Sequence, residues 1–214
     1  SAPQNMQLTA EVIMSNGPQK VVMNITTLFG NKKVRLENEI TQNSGQNIPE
    51  GMNKSTIIYD TDKKIVYMMM PMNKTAIKLD ANTMDKMQGG GMGGNLNTQL
   101  LSDPAEMVGE IKKRGGKMIG SEKILDHLCD IYQMQAPIPG SKESGTVKLW
   151  LAHKLNIPLK MEMSSVKNGK FMTLKAKELK TNISVSSNMF EVPKGYMVTD
   201  MQQMMNQLKD QNKR

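Results

Sequence analysis

Strict alternation of apolar and polar positions runs through the first forty residues. Leu8, Ala10, Val12 and Met14 fall on one side of a period-two pattern, with Thr9, Glu11 and Ile13 on the other. After the turn-forming Asn16-Gly17-Pro18, Val21, Met23 and Ile25 alternate with Val22, Asn24 and Thr26. Phe29-Gly30-Asn31 then turns the chain into Val34, Leu36 and Ile40. Period two places alternate side chains on opposite faces of a strand, so this stretch predicts an antiparallel meander with one buried face and one wet face. A polar loop follows at 42–54. The pattern resumes in Thr56–Asp60 and Lys64–Met70, turned by Asp60-Thr61-Asp62-Lys63, and again in Asn73–Leu79 after Pro71.

The alternation breaks at residues 84–95, where Gly89-Gly90-Gly91-Met92-Gly93-Gly94 is too rich in glycine for regular structure and predicts a flexible flap. Asp103-Pro104-Ala105-Glu106 reads as a helix start: a capping side chain, a proline at the first helical position, and an acid in place for a capping box. Met107, Val108 and Ile111 supply its apolar stripe, and Gly115-Gly116 ends it. Strand patterns return at Lys117–Ile119, Leu125–Gln135, Thr146–His153, Leu159–Ser165 and Lys170–Leu179. From Asp200 the spacing is helical again, with Met201, Met204, Met205 and Leu208 on one face. The expectation is one mainly β (α+β) domain over residues 1–200, its single antiparallel sheet accompanied by a few helices. An amphipathic tail occupies 201–214.

Composition sharpens this picture at one point. The chain has 22 Met but only eight aromatics, one Trp, four Tyr and three Phe. A thioether side chain is unbranched and polarizable, and conforms to irregular apolar shapes that Leu or Ile would not accept. Strands lined with it point to an adaptable greasy surface. No run of eighteen apolar residues is present. The first residues, Ser1-Ala2-Pro3-Gln4, are small and polar, as in an exported chain whose signal peptide has been removed.

Charge and reactive residues narrow the function classes. The net charge of +8 comes almost wholly from lysines spread along strands and turns, not from arginine forks interleaved with aromatics. That excludes a nucleic-acid reader and leaves contact with a membrane surface or an envelope protein open. Cys129 is the sole cysteine, so no disulfide framework exists. His127 and Cys129 would share a strand face, yet no Walker loop, HExxH or GxSxG accompanies them. Trp150 and Tyr196 read as anchors of the sheet. No enzyme and no cofactor is expected.

Several segments together carry a family resemblance. Asp103-Pro104 opens the helix, followed by Gly120-Ser-Glu-Lys-Ile124 and His127-Leu-Cys-Asp-Ile-Tyr132. Trp150-Leu-Ala-His153 precedes Ile157-Pro-Leu-Lys160, and the pattern closes on Met189-Phe-Glu-Val-Pro-Lys-Gly-Tyr196. With these motifs the chain resembles the periplasmic LolA-like superfamily of outer-membrane lipoprotein-sorting proteins, nearest to its uncharacterised domain-of-unknown-function branch. The likeness covers roughly residues 5–201. It implies a strongly curved, unclosed half-barrel partly covered by helices, with space between them for acyl chains. The Gly- and Met-rich segment 84–95 departs from that pattern, and no residue set of a lipoprotein-release apparatus is present.

Taken together, the sequence predicts a periplasmic carrier for an apolar ligand, such as the acyl chain of a lipid or lipoprotein. The candidate lining residues are Leu8, Val12, Met23, Ile25, Val34, Leu36, Val66, Met68 and Met70. Met84, Met87, Met92, Met201, Met204, Met205 and Leu208 are candidates for a lid or partner contact. Two alternatives stand beside this reading. Met84, Met87 and Met92 have MxxM spacing, and Met68, Met69, Met70 and Met72 crowd a second stretch; thioethers favour Cu(I), so a soft-metal or envelope-stress protein is the first alternative. The other is a non-catalytic scaffold whose cavity is filled by its own side chains.

Overall fold

The computed structural model describes residues 5–45, 47–49, 51–81, 83, 104–138 and 143–204. Among these residues twelve strands form one open sheet: β1 (Met6–Asn16), β2 (Gln19–Gly30), β3 (Lys33–Asn43), β4 (Lys54–Asp60), β5 (Ile65–Met70), β6 (Thr75–Asp80), β7 (Lys117–Ile124), β8 (His127–Pro137), β9 (Ser144–Ala152), β10 (Pro158–Ser165), β11 (Gly169–Thr181) and β12 (Met197–Asp200). Their order is β12-β6-β5-β4-β3-β2-β1-β11-β10-β9-β8-β7. Two meanders, β1–β6 and β7–β11, are thus fused where β1 pairs antiparallel with β11. The sheet is curved and does not close into a barrel.

Turn chemistry sets the hairpins. Asn31 and Lys32 both have positive φ between the paired Gly30 and Lys33, as do Leu125 and Asp126 between Ile124 and His127. Two consecutive positive-φ residues match the right-handed twist of the flanking strands. Leu125 is therefore a turn residue and not the start of a strand as the alternation predicted; β7 instead runs on to Ile124. An apolar side chain in a two-residue turn leaves the period-two pattern unbroken, which hides the turn.

One helix among the described residues spans a full ten positions, α1 (Pro104–Lys113). It starts where the proline predicted; Asp103, the expected cap, lies outside the described residues. Its end is a Schellman motif: Gly116 N–H donates to Ile111 O at 2.9 Å and Gly115 N–H to Lys112 O at 3.0 Å, with Gly115 at φ +78°. A Cβ on Gly116 would collide with Ile111, so the close chain reversal requires glycine there.

The sheet's two faces differ. The main core lies on one of them and includes Leu8, Val12, Ile25, Leu36, Leu149, Leu159, Met161 and Leu174, with Met107 and Ile111 of α1 packed on top. A smaller cluster on the opposite face joins Ile58, Met69 and Ala76 to Phe190, with Tyr67, Val192 and Tyr196 at its margin. It forms because the chain after β11 crosses that face through a short 3₁₀ turn, Ser187–Phe190, before β12 pairs with β6. That last pairing is parallel, the one departure from an antiparallel sheet among the described residues, and only a crossing connection permits it. Trp150 is a sheet anchor as expected: its Nε1 donates to Glu122 Oε2 at 2.6 Å, and Lys160 Nζ lies 4.1 Å from the ring centre.

Candidate ligand-binding face

Strand register decides which side chains share a surface. Leu8 pairs with Thr27, Ala10 with Ile25, and Val12 with Met23. Thr27 continues to Leu36, Leu36 to Ile57, and Ile57 to Met68. Phe29 pairs with Val34, Val34 with Tyr59, and Tyr59 with Val66. Met70, two residues beyond Met68, faces the same way. All nine candidate lining residues therefore project from one face of the sheet, the face that carries the main core.

They differ in access. Leu8, Val12, Ile25, Val34, Leu36 and Val66 are buried, whereas Met23 and Met68 are only half-buried against the core. Met70 is 48% exposed and sits on the rim; its neighbour Met69, on the opposite face, is 2% exposed.

The second meander extends this face with residues that the sequence reading passed over. Met14 pairs with Met172, Met172 with Met163, and Met163 with Val147, which pairs with Met134. Met161 lies beside Leu174 and Leu149 on the same face. The signal was present as alternation within β10 and β11. What the sequence does not disclose is that β11 lies against β1, which makes one methionine-bearing surface from two meanders. At its half-open part Met23 pairs with Ile40, and Met14 is the next apolar residue along β1.

Among the described residues, two buried polar atoms without a hydrogen-bond partner interrupt this face. Thr27 is 1% exposed, and its Oγ1 has no hydrogen-bond partner among the described residues. Asn38 donates from Nδ2 to Ser55 Oγ at 3.4 Å, but its Oδ1 is buried and unpartnered among them. Asn38 pairs with Ile25, so it lies diagonal to Thr27 on the adjacent strand.

Of the lid candidates, Met201 packs against the main core and Met204 is exposed. Residues 201–204 are helical, as their spacing predicted. Asp200 caps this turn by accepting from the N–H groups of Gln202 and Gln203 at 3.1 and 3.2 Å. Met84, Met87, Met92, Met205 and Leu208, and with them the glycine-rich flap, lie outside the described residues.

The opposite face holds two clefts flanking the crossing segment. One, of about 540 Å³, is lined by Arg35, Glu37, Leu28 and Ser186 among others; Arg35 is held there by Glu37 at 2.7 Å and by Met189 O at 3.0 Å. The other, of about 390 Å³, lies among Lys33, Asp60, Tyr67, Lys78 and Phe190. Their polar groups are largely engaged with one another.

Reactive side chains do not assemble into a catalytic set among the described residues. Cys129 is fully buried, and burial pushes its thiol pKa up, away from the thiolate a nucleophile needs. Its Sγ is 3.5 Å from the backbone oxygen of His127, not from an imidazole nitrogen. His153 Nδ1 pairs instead with Asp130 at 3.3 Å on the surface. Among the described residues no three His, Cys, Asp or Glu side chains are grouped to hold a metal ion.

No protein-family model matches the chain, and no curated protein matches it. Several solved structures do. An uncharacterized conserved protein from Thermus thermophilus is 10% identical, with 92% of this chain and 91% of that one covered at a TM-score of 0.55. A chain of the Pseudomonas aeruginosa MucA/MucB complex is 11% identical, with 91% of this chain and 58% of that one covered at 0.48. A putative outer membrane lipoprotein-sorting protein domain from Vibrio parahaemolyticus is 16% identical, with 87% and 89% covered at 0.45. The chain thus shares the fold of the Thermus protein.

Proposed function

We propose that this chain is a periplasmic, non-catalytic carrier that binds the acyl chain of a lipid or lipoprotein against the apolar face of its sheet. The observation that carries the reading is that face itself: one continuous apolar surface fused from two meanders, with half-buried Met14, Met23 and Met68 where it opens. Adaptable thioethers at the open part suit a flexible hydrocarbon chain whose path varies from one ligand to the next. Binding is reversible burial. Each methylene contributes about 0.8 kcal/mol, so ten contribute about 8 kcal/mol before the costs of ordering the ligand are subtracted. Lysines on the outside would assist contact with anionic membrane surfaces or an envelope partner.

Displacement of a fluorescent fatty-acyl probe tests the reading. Met23→Asp and Met68→Asp each place a charge on the face without a partner and are expected to abolish binding, whereas Met23→Leu and Met68→Leu keep apolar volume and retain it. Unchanged binding in folded Asp variants would remove this face as the site. Native mass spectrometry of the purified protein separates the alternatives: lipid mass supports the carrier, while copper mass supports a soft-metal role.

A further inference from the structure

We propose that Thr27 and Asn38 form a polar anchor within the apolar face and that it selects a ligand whose buried polar group is uncharged: an ester, an amide or a hydroxyl. This inference rests on the carrier reading and specifies what that face would accept.

The argument starts from the cost of the two side chains. Thr27 sits between Leu8 and Leu36 across the sheet, with Ile25 and Phe29 before and after it on its own strand. These four neighbours are all buried apolar residues. Valine has nearly the same shape as threonine and would fill the position without a hydroxyl to satisfy. A buried hydroxyl left unpaired destabilises a fold, and native structures rarely keep one unless it has a task. Asn38 repeats the pattern one strand away. Its amide nitrogen is engaged by Ser55 and its oxygen is left over. Diagonal neighbours on adjacent strands are about 7–8 Å apart at Cα, so both groups fall within the span of one small polar head.

Their chemistry specifies the partner. The Thr27 hydroxyl can donate to a carbonyl oxygen or accept from a donor, and the Asn38 oxygen accepts from O–H or N–H. An ester carrying a free hydroxyl, or an amide, satisfies both together. A carboxylate or phosphate does not. On this face every residue of β1–β6 that the register assigns to it is uncharged; Lys33, Arg35 and Lys78 all lie on the other side with Asp60. An anion buried at Thr27 would lose its hydration with no cation among the described residues of β1–β6 on this face to compensate, and that penalty exceeds what one neutral hydrogen bond returns. Discrimination therefore lies between neutral amphiphiles and fatty-acid anions of equal chain length.

The test displaces the same fluorescent probe with a monoacylglycerol, with the fatty acid of identical chain at pH 8, and with the corresponding alkane. The wild-type protein is expected to bind the monoacylglycerol most tightly. Thr27→Val is expected to weaken monoacylglycerol binding about fivefold, the worth of one neutral hydrogen bond, while leaving the alkane unaffected. The same variant is expected to raise the melting temperature of the ligand-free protein, because it removes an unpaired polar atom, and Thr27→Ser is expected to restore the preference. Asn38→Leu gives a second, independent loss of preference. Equal binding of monoacylglycerol and anion, or a preference that survives both Thr27→Val and Asn38→Leu, overturns the anchor while the carrier reading stands. Absence of binding by all three competitors and the probe overturns both.

Discussion

Lys78 Nζ lies 3.0 Å from Asp200 Oδ2, and the other oxygen of that carboxylate caps the helical turn that follows. One side chain thus fastens β12 to β6 and starts the tail helix. Its hydrogen bond with Lys78 holds the Asp200 carboxyl below its ordinary pKa, and the same bond raises Lys78 above its own. The Asp200 contribution is present above the usual carboxylate range near about 4 and is lost as pH falls through its lower folded value; that of Lys78 is lost only as pH rises through its raised one. Amide protection across 197–204, taken relative to the intrinsic exchange rate at each pH, is expected to hold between these limits and to fall in acid. Asp200→Asn keeps a capping oxygen and should remove only the ion pair, while Asp200→Ala should free both β12 and the turn. Exchange across β12 in Asp200→Asn identical to that of the wild type would show that the pair does not hold the strand.

Met69 and Met70 are sequence neighbours with opposite environments. Met69 is packed with Ile58 and Phe190, and Met70 lies on an open rim. Met69→Ala is expected to cost about 2–5 kcal/mol in chemical denaturation, and Met70→Ala less than about 0.5 kcal/mol. Similar costs for the two would mean that the crossing segment around Phe190 does not cover the sheet as described.

Leu125 occupies a left-handed position, φ +48°, in the turn between β7 and β8, where it is exposed. A branched side chain there is strained by roughly 1–2 kcal/mol, and asparagine tolerates the conformation far better. Leu125→Asn is expected to stabilise the protein by about 1 kcal/mol. A lowered denaturation midpoint would show that the leucine contributes packing that outweighs the strain.

Cys129 combines complete burial with a thiol pKa raised by that burial. Labelling by an aromatic disulfide reagent is expected to be negligible in the native protein and complete in denaturant. Cys129→Ser should cost about 1–3 kcal/mol by placing a hydroxyl in an apolar site, more than Cys129→Ala if the site relaxes around the lost sulfur. Rapid native labelling would mean that the β8–β9 region opens locally.

Most of the strands were legible because period two is a local property: Val66, Met68 and Met70 share a face whatever they pair with, and Leu8, Val12, Val34 and Leu36 follow the same rule. The start of α1 was equally local, since proline suits the first position of a helix and no interior one. Local pattern says nothing about which strands become neighbours. The contact of β1 with β11 joins residues from opposite ends of the chain, and only that pairing brings Met14, Met172 and Met163 into one row. β12 was invisible for a related reason: its residues are largely exposed, so no burial shaped their pattern, and its place beside β6 is set by the crossing segment. Period two places Thr27 in phase with Met23, Ile25 and Phe29 of β2. That its hydroxyl is enclosed by Leu8, Ile25, Phe29 and Leu36 depends on the three strands β1, β2 and β3 lying side by side, because enclosure is a property of neighbours in space and not of order along the chain.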